Sequence, residues 1–124
     1  MANWKMNGSK EMLANYIASL NHHNHSETDV EVVIFPPAIF LPYVEEHAQA
    51  QIFSWGGQTL GPEQSGAFTG EISGQMLKAY GSKYVLVGHS ERRHVFQEPL
   101  NLIAKKFHLA KDCGIIPVIC IGET

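Results

Sequence analysis

Two cysteines in 124 residues, Cys113 and Cys120, are too few for a disulfide scaffold. Both stand in apolar contexts, so reduced, buried thiols are expected, and the cytoplasm with them. No run of about 18 apolar residues occurs, which argues against a membrane-spanning helix. No cationic segment followed by an apolar core opens the chain, so a secretory leader is not expected. Positive charge is not in excess either. Lys and Arg number 9 against 12 Asp and Glu, a net charge of -3, so neither nucleic acid nor an anionic membrane is expected as a partner. Gly-x-Gly-x-x-Gly and Walker-type loops are missing as well, and a nucleotide is not indicated.

What is present is a chain that is 44% apolar and 17% charged, which fits one globular domain over residues 1–124 with a real core. Apolar runs at 1–6, 30–35, 52–57, 83–87 and 115–121 read as strands, several of them buried on both faces. Between them, four segments carry helical signals. Ser9 caps the first, with Met12, Leu13, Tyr16, Ile17 and Leu20 recurring at helical spacing. Pro42 opens a short second helix, Ser73 caps a third that stops near Gly81, and Pro99 opens a longer fourth that stops at Gly114. The polar loop at 21–29 holds His22, His23 and His25, which read as a solvated cluster because nothing there fixes a metal geometry. No metal or cofactor is expected.

The order βαβαβαβαβ implies a parallel sheet with right-handed crossovers, in the α/β class. Two architectures satisfy it: a doubly wound sheet, which the length favours, or part of a (β/α)8 barrel, which needs about 250 residues. In either one, reactive side chains gather where strands end. Asn3 and Lys5 lie two apart in the first strand and so share a side, with Trp4 turned away. His89 follows the fourth strand, with Ser90 as the expected N-cap of a helix behind it, and Glu123 follows the fifth. Lys5 suits a phosphate or a developing oxyanion, and His89 can act as an acid, a base or a hydrogen-bond donor near neutrality. From these residues alone the chain reads as an α/β enzyme that handles a small anion.

Four motifs then occur in order: Asn3-Trp4-Lys5-Met6-Asn7-Gly8, Gly66-Ala67-Phe68-Thr69-Gly70-Glu71, Gly88-His89-Ser90-Glu91-Arg92-Arg93 and Cys120-Ile121-Gly122-Glu123-Thr124. Together they resemble the triosephosphate isomerase family over essentially the whole chain. The resemblance implies the parallel βα repeats of a TIM (β/α)8 barrel, about strands one to five with four helices, the barrel incomplete in this chain. It implies interconversion of dihydroxyacetone phosphate and glyceraldehyde 3-phosphate through an enediolate, without cofactor or metal, on a small phosphorylated triose. Asn3 and Lys5 match the substrate-contacting pair, His89 the electrophile and Glu91 a supporting acid. Ser90, Cys120 and Glu123 match structural positions near the site. Phe68 and Thr69 lie in the loop that joins two copies of such enzymes into a homodimer.

Departures from the family set further expectations. The catalytic base and the glycine-rich phosphate loops match nothing up to Thr124, so the chain is expected to be a truncated isomerase, inactive alone. The alternative is a non-catalytic half-barrel that assembles with a second chain. Thr59 stands where an asparagine is expected after Gln58, which puts some hydrogen bonds of that loop in question.

Overall fold

The computed structural model describes residues 1–22, 30–49 and 52–122. Five strands form a single parallel sheet: β1 (Ala2–Asn3), β2 (Val33–Phe35), β3 (Ser54–Gly57), β4 (Tyr84–Val87) and β5 (Ile116–Ile119). Helices α1 (Lys10–His22), α2 (Leu41–His47), α3 (Gly74–Ala79), α4 (Ser90–His94) and α5 (Leu100–Asp112) lie between them, with a 3-10 turn, Ala38–Phe40, leading into α2. The fourth strand is followed by two helices, so among the described residues five helices stand where four are expected.

The strand order is β1-β2-β3-β4-β5, each strand beside its neighbour in sequence. A doubly wound sheet reverses its order at a switch point, and this one never does. The packing agrees. Ile34 of β2 packs with Leu13 and Ile17 of α1 and Val44 of α2, while Val85 and Val87 of β4 pack with Leu77 of α3 and Ile103 and Ala110 of α5. The alternate residues Val33, Phe35 and Leu86 form their own cluster with Tyr84, Val118 and Cys120, without a helical partner among the described residues. Side chains alternate across a strand. One face therefore carries helices and the other packs strand against strand, as the inside of a barrel does. This is the first half of a (β/α) barrel, and it is not closed.

Local chemistry explains two of the helix starts. Ser9 Oγ accepts from Met12 N–H at 3.1 Å, and Ser73 Oγ from Met76 N–H at 3.2 Å, as their sequence positions promise. The glycines of β3 are a packing requirement. A Cβ on Gly56 would lie 2.1 Å from the Tyr84 carbonyl oxygen and 2.9 Å from the Phe35 ring, so only hydrogen fits.

Three expectations need correction. Lys5 lies outside β1 and has φ 56, so strand alternation is not what turns it toward Asn3. Ser90 is the first residue of α4, not its cap; His89 holds that position with extended backbone angles. Cys113 and Cys120 are half-buried, because the helix end and the open fifth strand leave one side of each uncovered. Glu123, His23 and His25 lie outside the described residues, and His22 ends α1.

Candidate active site

Beyond the C-terminal ends of β1, β3 and β4 lies a cavity of ≈ 200 Å³ lined by Asn3, Lys5, Met6, Gln58, Thr59, His89, Glu91, Arg92 and Phe96. Asn3, Lys5, His89 and Glu91 thus meet in one place. A larger groove of ≈ 540 Å³ runs beside α1, lined by Ser9, Glu11, Met12, Asn15 and Tyr16, but no cation faces it.

Lys5 is held through its backbone. Its N–H donates to Asn3 Oδ1 at 2.9 Å, and its carbonyl accepts from Gln58 Nε2 at 2.8 Å. The same Gln58 amide donates to the Phe35 carbonyl at 3.0 Å, tying the turn after β1 to the end of β2. These bonds hold the left-handed backbone at Lys5, a conformation that costs a non-glycine residue of order 1–3 kcal/mol. The ammonium stays half-exposed, 3.6 Å from Glu91 Oε2.

His89 sits where β4 turns into α4. Gly88, with φ 73, makes that turn, and its carbonyl accepts from Arg93 Nε at 2.9 Å. His89 Nδ1 accepts from Glu91 N–H at 3.1 Å, which is how it caps the helix. Glu91 Oε1 also lies 3.6 Å from Nδ1. A ring nitrogen that accepts an amide hydrogen has no proton to give a carboxylate, and the shorter, directed bond is the one that fixes the ring. In this geometry the ring proton is on Nε2, as a donor.

The other named residues fall around the site. Ser90 starts α4 behind His89. Cys120 lies on the inner face of the sheet, its amide donating to the Val87 carbonyl at 2.9 Å. Burial pushes its thiol pKa up, against the opposing pull of the Val87 backbone on the thiol and of Arg93. Thr69 and Phe68 sit on a well-tied loop. Its base is closed by Gly61 N–H on the Ile72 carbonyl at 2.7 Å, and its flank by Gln64 on the Leu109 carbonyl and by the Glu63–Lys105 ion pair. Phe68 remains 42% exposed.

One buried polar group is missing from the sequence-based expectations. Glu98 and Lys106 are buried, at 8% and 2% exposure, and paired at 2.9 Å. Arg92 Nε reaches the same carboxylate oxygen at 2.7 Å, and Lys106 also donates to Thr59 Oγ1 at 3.0 Å. Burial works to raise the Glu98 pKa, but donation from Lys106 and Arg92 outweighs it and holds the carboxyl below its usual range. Lys106 lies on the apolar stripe of α5, where the i, i+3, i+7 pattern leads one to expect only hydrophobes. A lysine at that register was the available signal.

A half barrel with a lysine and a histidine meeting beyond its strand ends places the chain among the α/β-barrel proteins. The triosephosphate isomerase sequence profile matches residues 1–124. The chain is 45% identical over 124 residues to triosephosphate isomerase of Photorhabdus laumondii subsp. laumondii, covering 100% of this chain and 49% of the relative. It is 47% identical over 122 residues to that of Acidithiobacillus ferrooxidans, covering 98% and 48%, and 42% identical over 122 residues to that of Legionella pneumophila, covering 98% and 49%. The chain belongs to the triosephosphate isomerase family. It spans about half the length of the curated relatives it matches.

Proposed function

We propose that this chain carries the substrate-holding and electrophilic residues of a triose-phosphate isomerase, which interconverts dihydroxyacetone phosphate and glyceraldehyde 3-phosphate in glycolysis and gluconeogenesis. The observation that carries this reading is the convergence of Asn3, Lys5, His89 and Glu91 on one cavity. No cofactor, metal or nucleic acid enters it. The enzyme would act in the cytoplasm, as a homodimer joined through the Phe68–Thr69 loop.

Lys5 supplies the positive charge that the phosphate and the developing enediolate need. Its contact with Glu91 at 3.6 Å is half-exposed and worth about 0–1 kcal/mol, so an incoming phosphoryl or oxyanion group displaces the carboxylate at little cost. His89 donates from Nε2 to the substrate oxygen that gains charge as the carbon-bound proton leaves. Donation becomes stronger as that charge builds, which is what lowers the barrier. Asn3 spends its Oδ1 on Lys5 and keeps its Nδ2 hydrogens for substrate. Glu91 is the one carboxylate among the described residues of the cavity, and its place beside Lys5 and His89 fits a supporting acid. The proton-abstracting base comes from outside this set.

Calorimetry and a turnover assay with dihydroxyacetone phosphate test the reading on the 124-residue chain. Saturable binding without detectable turnover is the predicted result. No binding would sink the site assignment, and turnover at an enzymatic rate would show that the base is within this chain.

A further inference from the structure

We infer that Thr59 is a positioning residue: through buried Lys106 and Glu98 it couples the backbone that holds Lys5 to the short helix that orients His89. This rests on the isomerase reading for its ligand, while the coupling itself follows from a continuous set of contacts. Gln58 donates to the Lys5 carbonyl at 2.8 Å, and the next residue, Thr59, accepts from Lys106 Nζ at 3.0 Å. Lys106 donates onward to Glu98 Oε2 at 2.9 Å, which also receives Arg92 Nε at 2.7 Å. Glu98 N–H then returns to the Arg92 carbonyl at 3.0 Å. Arg92 is the third residue of α4, directly behind the His89 cap. Both ends of the chain of contacts, Thr59 and Arg92, line the cavity themselves.

A buried charge pair is weak evidence for stability, since desolvation offsets most of its attraction, and fixing geometry is a better-supported role. Lys106 has little freedom here. Its ammonium is almost fully enclosed, so its donors must be met by Glu98 and Thr59, and the distance between those two is thereby fixed. The side chain at 59 therefore sets how far the end of β3, with Gln58 and Lys5, stands from the turn that carries Glu98 and Arg92. A hydroxyl acceptor is shorter than a carboxamide. The asparagine expected at this position would meet Lys106 one bond further out and shift that spacing.

The test compares Thr59→Val, which keeps shape and removes the acceptor, with Thr59→Ser, which keeps the hydroxyl. Two readouts are taken on the 124-residue chain: affinity for dihydroxyacetone phosphate, and hydrogen exchange of the Glu91 amide that His89 Nδ1 accepts. Thr59→Val is expected to weaken binding about tenfold and to speed Glu91 exchange by a similar factor, the scale of one hydrogen bond to a charged group. Thr59→Ser is expected to restore both to within about twofold. If Thr59→Val loses its folded spectrum, Thr59→Ala reads the same bond. A folded Thr59→Val or Thr59→Ala variant with a lower melting temperature but unchanged affinity and unchanged Glu91 exchange overturns the inference. Absence of binding in the unmodified chain instead overturns the isomerase reading, and Glu91 exchange then still decides the coupling.

Discussion

His89 uses its two ring nitrogens differently, and the difference arises from one backbone bond. Because Nδ1 accepts from Glu91 N–H, the proton of the ring stands on Nε2, the nitrogen that the proposed substrate contact uses. The sequence made Ser90 look like the cap, since serine ranks far above histidine as a capping type. What decides the cap is where the backbone leaves helical angles, and that happens at His89 because Gly88 has already turned the chain. Lys5 is a similar case. Its partnership with Asn3 was legible, but the cause is a left-handed backbone clamped by Asn3 and Gln58, which alternation in a strand does not describe. In a full-length isomerase containing this sequence, His89→Gln is expected to lower kcat by at least about 100-fold, with the fold retained and the melting temperature lowered by no more than the few degrees that loss of one helix cap costs. Steady-state kinetics beside a thermal melt checks this. Loss of the folded state with specific activity per folded molecule preserved would assign the residue to packing instead.

At the scale of elements, the apolar and strand-like segments located all five strands to within a few residues; β2 and β4, the most deeply buried, are continuously apolar, as a strand covered on both faces has to be. The third strand was the hardest to read, and its glycines are the reason. Gly56 is small so that the Phe35 ring and the Tyr84 carbonyl can close over it, a condition imposed by neighbours far away in sequence. Gly56→Ala is therefore expected to force β3 from β4 and destabilise the chain by about 2 kcal/mol or more, within the usual range for overpacking. Urea titration measures it, and an unchanged midpoint would contradict the packing described. The Glu98–Lys106 pair was illegible for the same kind of reason. Its members lie on opposite sides of the α5 start, and nothing in a local pattern says that a lysine on an apolar stripe finds a carboxylate there.

For the whole molecule, the consecutive strand order and the two-faced packing are what separate a barrel half from a doubly wound sheet. Periodicity left that choice open and length favoured the doubly wound sheet, the wrong one; the strand-end motifs pointed to the barrel. Charge at this scale gives a pH dependence. The Glu98 carboxyl is held below its usual range in the fold, despite burial, by Lys106 and Arg92, and Glu31 is lowered by its hydrogen bonds from Lys83 and Tyr84. A depressed carboxylate binds fewer protons folded than unfolded. Its contribution to stability is complete above the unfolded value, about 4.3, and is lost as pH falls through the folded value below it. Melting temperature is thus expected to drop through this acid window, and Glu98→Gln is expected to flatten the drop. A drop of the same steepness in that variant would remove Glu98 from the account.

The most direct test is a nitrogen-15 NMR titration of the His89 imidazole with dihydroxyacetone phosphate. The account predicts a ring with a protonated Nε2 and an unprotonated Nδ1, an Nε2–H signal that moves saturably as ligand is added, and loss of that response in Lys5→Met. A ring with its proton on Nδ1, or a response that Lys5→Met leaves intact, would contradict the claim that these two residues hold one substrate between them.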